Sequence, residues 1–229
     1  GIAKSGNSSG VKNLSYIDFG VDFLHQIEAF RRVKEFDTLH LIMSPNYLRA
    51  VPHLAEYLKS EADKQKTEII IAETGKGLDE MKRLLVKAKA AMIVPIFGRP
   101  FDYQKEIIEL LNELKVPSMA MLGRIPVENG VFCSLTPDID NQKLARRIAI
   151  NLNRIFAGDD AGSFNTDFAM PERLAFNMET AEKIGVFPTW SQMTDAILFY
   201  GNSKGKNKQM DIGTVIETAL TKNLRLIAK

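Results

Sequence analysis

Four short stretches of this chain bring small hydroxyl, amide and guanidinium side chains together with glycines: Ser44-Pro45-Asn46, Glu73-Thr74-Gly75-Lys76-Gly77, Phe97-Gly98-Arg99-Pro100 and Gly123-Arg124. Such groups, set beside free backbone N–H donors at helix starts, can hold a carboxylate or another small polar molecule. Arg99 can add a planar two-bond contact to the same kind of ligand. The candidate ligand-binding residues are therefore Ser44, Asn46, Thr74, Gly75, Arg99 and Arg124. Ordinary helix capping competes for Ser44, Asn46 and Thr74, and a surface ion pair competes for Arg99. The four stretches argue for binding more strongly as a set than any member does alone.

Residues for catalysis do not assemble in the same way. His25 and His53 fall on predicted helices and His40 in or beside a predicted strand, each without a second histidine or a carboxylate at metal-ligand spacing. Each is read as structural, and no metal site is expected. The paired acids Asp159-Asp160 and Asp138/Asp140 flank a helix, where capping accounts for them. There is no Gly-x-Ser-x-Gly elbow, and Thr74-Gly75-Lys76-Gly77 lacks the rest of a phosphate loop. No Gly-x-Gly-x-x-Gly follows a strand, so the reading is a non-enzymatic protein without a cofactor.

The elements that must position these residues are legible as alternating apolar runs and helix-period segments, the pattern of βαβ units. Residues 39–43, 68–72, 91–96 and 118–122 read as strands, apolar at nearly every position as in a parallel sheet covered on both faces. Leu78, Met81, Leu84, Leu85 and Ala88 recur at helical spacing, as do Ile107, Ile108, Leu110, Leu111 and Leu114. Phe23, Leu24, Ile27 and Phe30 mark a helix upstream; Leu144, Ile148, Leu152, Ile155 and Phe156 mark a longer one that stops at Gly158. Pro52 must begin or kink the helix that follows Asn46. In an open parallel sheet the ligand site lies beyond the carboxyl ends of the strands, and all four stretches named above are expected at that edge.

Composition limits the partners. The 229 residues are 45% hydrophobic and 25% charged with a net charge of +2, and the basic residues form no stripe, which argues against nucleic acid. The longest uncharged apolar stretch, 90–97, falls far short of the roughly 20 residues that span a bilayer. The single cysteine, Cys133, lies in the run Val131-Phe132-Cys133 and is read as a small buried hydrophobe. The chain opens without a methionine and without a signal peptide, which suggests a fragment of a longer protein. Past residue 200 a polar, lysine-bearing stretch, 201–208, reads as a linker, followed by an amphipathic helix from Ile212 with Asp211 as its cap.

Two stretches carry a family resemblance. Arg146-Arg147-Ile148-Ala149-Ile150-Asn151, Ile155, the turn from Ala157 to Gly162, then Arg173-Leu174-Ala175-Phe176-Asn177 and Thr180 to Val186 with Pro188 resemble the C-terminal signature of ABC-transporter substrate-binding proteins of the tryptophan/tyrosine-binding-like family. Ser9-Gly10-Val11-Lys12-Asn13-Leu14 is similar to the segment where such proteins cross from their first lobe to their second. The resemblance implies a type I periplasmic-binding-protein-like lobe, a three-layer αβα unit, with residues 1–17 as the crossover from a missing first lobe and 18–200 as the substrate-binding-like domain. The stretch 201–229 would then lead into a following domain. Its part from Ile212 to Ala228 resembles the opening helix of TolC-like outer-membrane efflux channels.

These resemblances imply a periplasmic or cell-envelope protein that binds a small polar molecule, an amino acid being one candidate, in transport. The alternative is a structural or sensory module fused to an outer-membrane efflux channel. Phe97-Gly98-Arg99-Pro100 departs from the family, whose corresponding loop often carries an acidic or polar residue, which leaves a different ligand or a vestigial site as the alternatives here.

Overall fold

A computed structural model describes residues 6–20, 22–51, 53–64, 66–94, 104–135, 140–169 and 172–200. Helix α1 (Phe23–Val33) leads into strand β1 (Thr38–Met43), then α2 (Pro45–Ala50), α3 (Leu54–Lys64) and β2 (Glu68–Glu73). Next come α4 (Leu78–Leu85), β3 (Ala91–Ile93), α5 (Gln104–Glu113), β4 (Ser118–Ala120), α6 (Ile125–Glu128) and β5 (Cys133–Ser134). The described chain closes with α7 (Asn141–Phe156), β6 (Ala175–Asn177), α8 (Met178–Ile184), α9 (Trp190–Asp195) and β7 (Ile197–Phe199).

The strands form one seven-stranded sheet in the order β2-β1-β3-β4-β5-β6-β7. The first five run parallel, with Ile42 beside Ile93, Ala120 and Ser134 in successive strands. Beyond them β6 is antiparallel to β5, and β7 follows β6 in parallel. The expected parallel sheet is thus a mixed one, and β5 and β7 extend it past the strands that the apolar runs announce. Strands β3 and β4 end sooner than expected, at Ile93 and Ala120.

Helices cover both faces, as near-continuous apolar strands require. Leu39, Leu41, Met43, Met92 and Met119 point to one face, where Ile27 and Phe30 of α1 and Leu58 and Ala62 of α3 pack on them. Ile42, Ala72, Ala91, Ile93 and Ala120 point to the other, under Met81 and Leu85 of α4 and Ile107, Ile108 and Leu111 of α5. The stripes read from helical periodicity in α1, α4 and α5 therefore meet the sheet.

Local chemistry sets the breaks. Val51, the residue before Pro52, leaves the helical region (φ −122°, ψ 87°), because proline clashes with a helical predecessor. The segment after Asn46 is accordingly two helices, α2 and α3. Asn177 ends β6 and starts α8 by accepting a hydrogen bond from the Thr180 N–H (2.9 Å) while its amide donates to the Val127 carbonyl (2.7 Å). Gly185 closes α8 in the left-handed region, at φ 74°.

Helix α7 breaks the pattern. Its Lys143 donates to the Ala169 carbonyl (3.0 Å), Arg147 to the Asn165 carbonyl (3.2 Å), and Arg154 pairs with Asp159 (2.7 Å) while lying over the Phe164 ring. The charged side of this helix therefore faces the protein, and none of its described side chains is buried.

Candidate functional site

Sheet order 2-1-3-4-5 places a topological switch point between β1 and β3, because the crossover from β1 runs to one side and the later ones to the other. The carboxyl ends of strands flanking such a point diverge and leave a crevice. Ser44-Pro45-Asn46 stands at the carboxyl end of β1, on the rim of that crevice. Arg99, with the rest of Phe97-Gly98-Arg99-Pro100, lies outside the described residues.

Of the remaining candidates, four come together and one stands apart. An added Cβ on Gly75 would meet the Pro45 ring at 2.9 Å, so the turn after β2 lies directly against the turn after β1. Ser44, Asn46, Thr74 and Gly75 thus form one continuous patch. Arg124, at the start of α6, follows β4, which is two strands away from β1. It pairs with Glu128 (2.9 Å) and reaches over the Phe199 ring of β7 (5.8 Å to its centre), toward the opposite end of the sheet.

Capping accounts for part of the patch. The buried Ser44 hydroxyl accepts a hydrogen bond from the Asn46 N–H (3.2 Å) at the start of α2, which leaves its own O–H to donate. Asn46 accepts from Arg49 through its side-chain oxygen. Thr74 begins a single 3-10 turn ending at Lys76, and Gly77 takes φ 85° to release the chain into α4. The conformation at Gly77 is one that side-chain-bearing residues rarely adopt, so this glycine serves the turn.

Ser134 is a further polar group at the same edge that the sequence reading passes over. It ends β5, is fully buried, and its hydroxyl has no hydrogen-bond partner among the described residues. A buried hydroxyl without a partner costs about 1–3 kcal/mol, which makes it a group that would gain from an incoming acceptor or donor. Its only sequence signal is that it follows the apolar run Val131-Phe132-Cys133.

Several of the other titratable groups are engaged in the fold, while Asp138 lies outside the described residues and His53, expected on a helix, stands in the turn before α3 at φ 64°. Asp140 caps α7 through the Lys143 N–H (2.8 Å). Asp160 accepts from the Asn13 N–H (2.7 Å) and the Gly162 N–H (3.0 Å), and these two donors, Asn13 first, hold its carboxyl below the usual range. Cys133 is buried, and desolvation pushes its thiol far up. Desolvation also lowers the ring of His40, against the weaker pull of Glu68. No group of three or more metal-ligating side chains gathers among the described residues.

No protein-family model and no curated protein matches the chain. Solved structures do. A conserved domain protein from Vibrio cholerae O1 biovar El Tor superposes with a TM-score of 0.61 at 20% identity, over 76% of this chain and 58% of its own. An ABC domain from Streptococcus pneumoniae, in complex with L-Trp, superposes at 0.59 and 16% identity, over 76% and 60%. The ligand-free, open form of a substrate-binding protein with adhesive properties from Clostridium difficile gives 0.58 and 15%, over 80% and 61%. The chain shares the fold of these three structures and spans about three-fifths of their length.

Proposed function

We propose that this chain is the second-lobe part of a non-enzymatic, extracytoplasmic ligand-binding module that holds a small polar molecule at the carboxyl edge of its sheet. The observation that carries the reading is the coincidence of two things. The fold is that of substrate-binding proteins, one of them holding L-Trp, and the polar patch of Ser44, Asn46, Thr74 and Gly75 sits beside the switch point where such sheets open. Ser44 and Thr74 offer hydroxyl donors and Ser134 a buried one, and Arg99 is the cation proposed for an anionic group. An amino acid, with a carboxylate for such donors, fits this set.

A second reading is supported by how fully some of these groups are already engaged. Ser44 caps α2 and Arg124 pairs with Glu128, as expected of a structural or sensory module that keeps the fold without the ligand; its fusion to an outer-membrane efflux channel rests on the sequence from Ile212 to Ala228 alone, outside the described residues. Thermal unfolding of the protein against amino acids, nucleosides and small carboxylates separates the two. A ligand at about a hundred times its dissociation constant adds roughly 2.7 kcal/mol, a shift of several degrees at this size. A reproducible shift with one ligand class supports binding; a folded protein that shifts with none overturns it in favour of the structural module.

A further inference from the structure

The stretch from Ile184 to Thr194 carries no charged residue, in a chain that is 25% charged, and it lies between Lys183 and Asp195. Within it Phe187 is 54% exposed and Trp190 57%. Large apolar side chains standing singly in solvent are ordinary, but these two belong to one segment that is built to hold them still. Val186 packs against the core on one side of Phe187, and Pro188 is buried on the other. Thr189 then starts α9 with a reciprocal cap: its hydroxyl accepts from the Gln192 N–H (3.4 Å), and its own N–H donates to the Gln192 side-chain oxygen (2.8 Å). The other end of that side chain, Gln192 Nε2, donates to the Arg32 carbonyl (2.9 Å). One glutamine thus fixes the start of α9 and ties it to the end of α1. Rings presented from so fixed a segment lose little further freedom on meeting a partner.

The end of α1 supplies charge. Residues 31–36 hold Arg31, Arg32 and Lys34 against one acid, Glu35, and Arg32 and Lys34 are exposed. The next acid, Asp37, is taken by the Lys89 ammonium, 2.9 Å from each of its oxygens. Because α1 leads through residues 34–37 into the amino end of β1, the cations and the aromatic pair share the amino-edge side of the sheet, opposite the edge of the candidate site. Aromatic rings, tryptophan above all, settle at the level of lipid headgroups, where an apolar body and a polar N–H are both satisfied. Cations beside them add attraction to a leaflet that carries anionic lipid. The layering found here, an uncharged aromatic tip with cations at its border and none within it, matches a partner that is anionic at its face and apolar beneath.

We infer that Phe187 and Trp190, with Arg32 and Lys34 beside them, dock this domain on an anionic lipid surface, the amino edge toward the bilayer and the candidate site away from it. The contact leaves the carboxyl edge free, so it neither requires nor prevents the binding of a ligand there.

The chain holds a single tryptophan, and Trp190 therefore reports on its own contact. The 229-residue chain is mixed with vesicles of phosphatidylglycerol and phosphatidylcholine in equal parts, or of phosphatidylcholine alone, with and without bromine on the acyl chains. On the anionic vesicles Trp190 emission should move to shorter wavelength, its quenching by acrylamide should fall at least twofold, and brominated chains should quench it. Binding to the neutral vesicles should be at least tenfold weaker. Arg32→Gln with Lys34→Gln should weaken anionic binding about thirtyfold, at roughly fivefold for each cation near the surface. Phe187→Ser should weaken it about tenfold or more, and both variants should melt as the parent does. Phe156→Ser, on the exposed apolar side of α7, should bind like the parent.

Vesicle binding that leaves Trp190 emission unmoved, or that Phe156→Ser abolishes, would put the contact elsewhere. Equal binding to both kinds of vesicle would remove the role of the cations, and emission that shifts with protein concentration in the absence of lipid would show a second copy on the patch. Each of these overturns the inference, as does the absence of any vesicle binding. Vesicle contact by a protein that answers to no ligand would uphold this inference while overturning the binding reading.

Discussion

Residues 159–169 run hydrogen-bonded beside residues 7–18, and replacing Gly162, which lies against Val11, with alanine measures how tightly these two segments are built. A Cβ there would lie 2.3 Å from the Val11 carbonyl oxygen and 2.7 Å from its carbonyl carbon. Ordinary nonbonded contact needs about 3.5–4.0 Å, so the segments must separate by roughly 1 Å or more, and both contacting atoms are backbone. Overpacking of this kind costs about 1–3 kcal/mol, and loosening the Gly10 to Gly162 hydrogen bond adds about 0.5–1.5 kcal/mol. For a domain of this size each kcal/mol shifts the melting temperature by about 2–4 °C, so Gly162→Ala should lower it by about 3–18 °C. Gly158→Ala is the control. Its φ is 96° and an added Cβ would have no neighbour within 4 Å, so only left-handed strain, about 1–2 kcal/mol, opposes it. Differential scanning fluorimetry of both variants decides the matter: a Gly162→Ala protein as stable as Gly158→Ala would refute the close approach of the segments.

Three further outcomes follow from buried polar groups. His40 is 3% exposed with no partner for its Nδ1 among the described residues, and desolvation lowers its pKa below the ordinary 6.5. Above 6.5 neither folded nor unfolded chain takes up the proton; below it the unfolded chain does so first, so His40's contribution to stability is lost as pH falls from 6.5 through the lowered folded value. Urea midpoints between pH 7.5 and 5 should fall less steeply in His40→Leu than in the parent, and parallel slopes would contradict this. Asn177→Ala removes both the cap on α8 and the bond to Val127, and equilibrium unfolding should register a loss of about 1–3 kcal/mol, whereas a loss under about 0.5 kcal/mol would count against the pairing. Cys133 should resist a thiol reagent in the native state and react on unfolding; prompt native reaction would contradict its burial.

How much of this was legible in the residues varies with the kind of signal. Strands β1 and β2 were readable because residues such as Leu39-His40-Leu41-Ile42-Met43 are apolar at almost every position and both neighbours are helical. Strand β5 has two residues and β7 three, too short for any period to register, and the antiparallel β5–β6 pair is a long-range fact that no local pattern encodes. Helical spacing located α7 but could not say which way it faces, since periodicity defines a face and not its partner. In the candidate site, glycine and hydroxyl chemistry marked Ser44, Asn46, Thr74 and Gly75, and strand order then brought them together. Arg124 carried the same signal and points instead toward Phe199, while the orphaned hydroxyl of Ser134 becomes visible only once the sheet is assembled.

The central claim is that ligand binds at the carboxyl edge of the sheet, and backbone amide NMR of the labelled protein titrated with the ligand class found by thermal unfolding tests it most directly. Shifts should concentrate at residues 44–46, 74–77 and Ser134, with the amino edge around Gly130 and Asn177 unmoved. Shifts centred on that amino edge, or scattered without a focus, would contradict it.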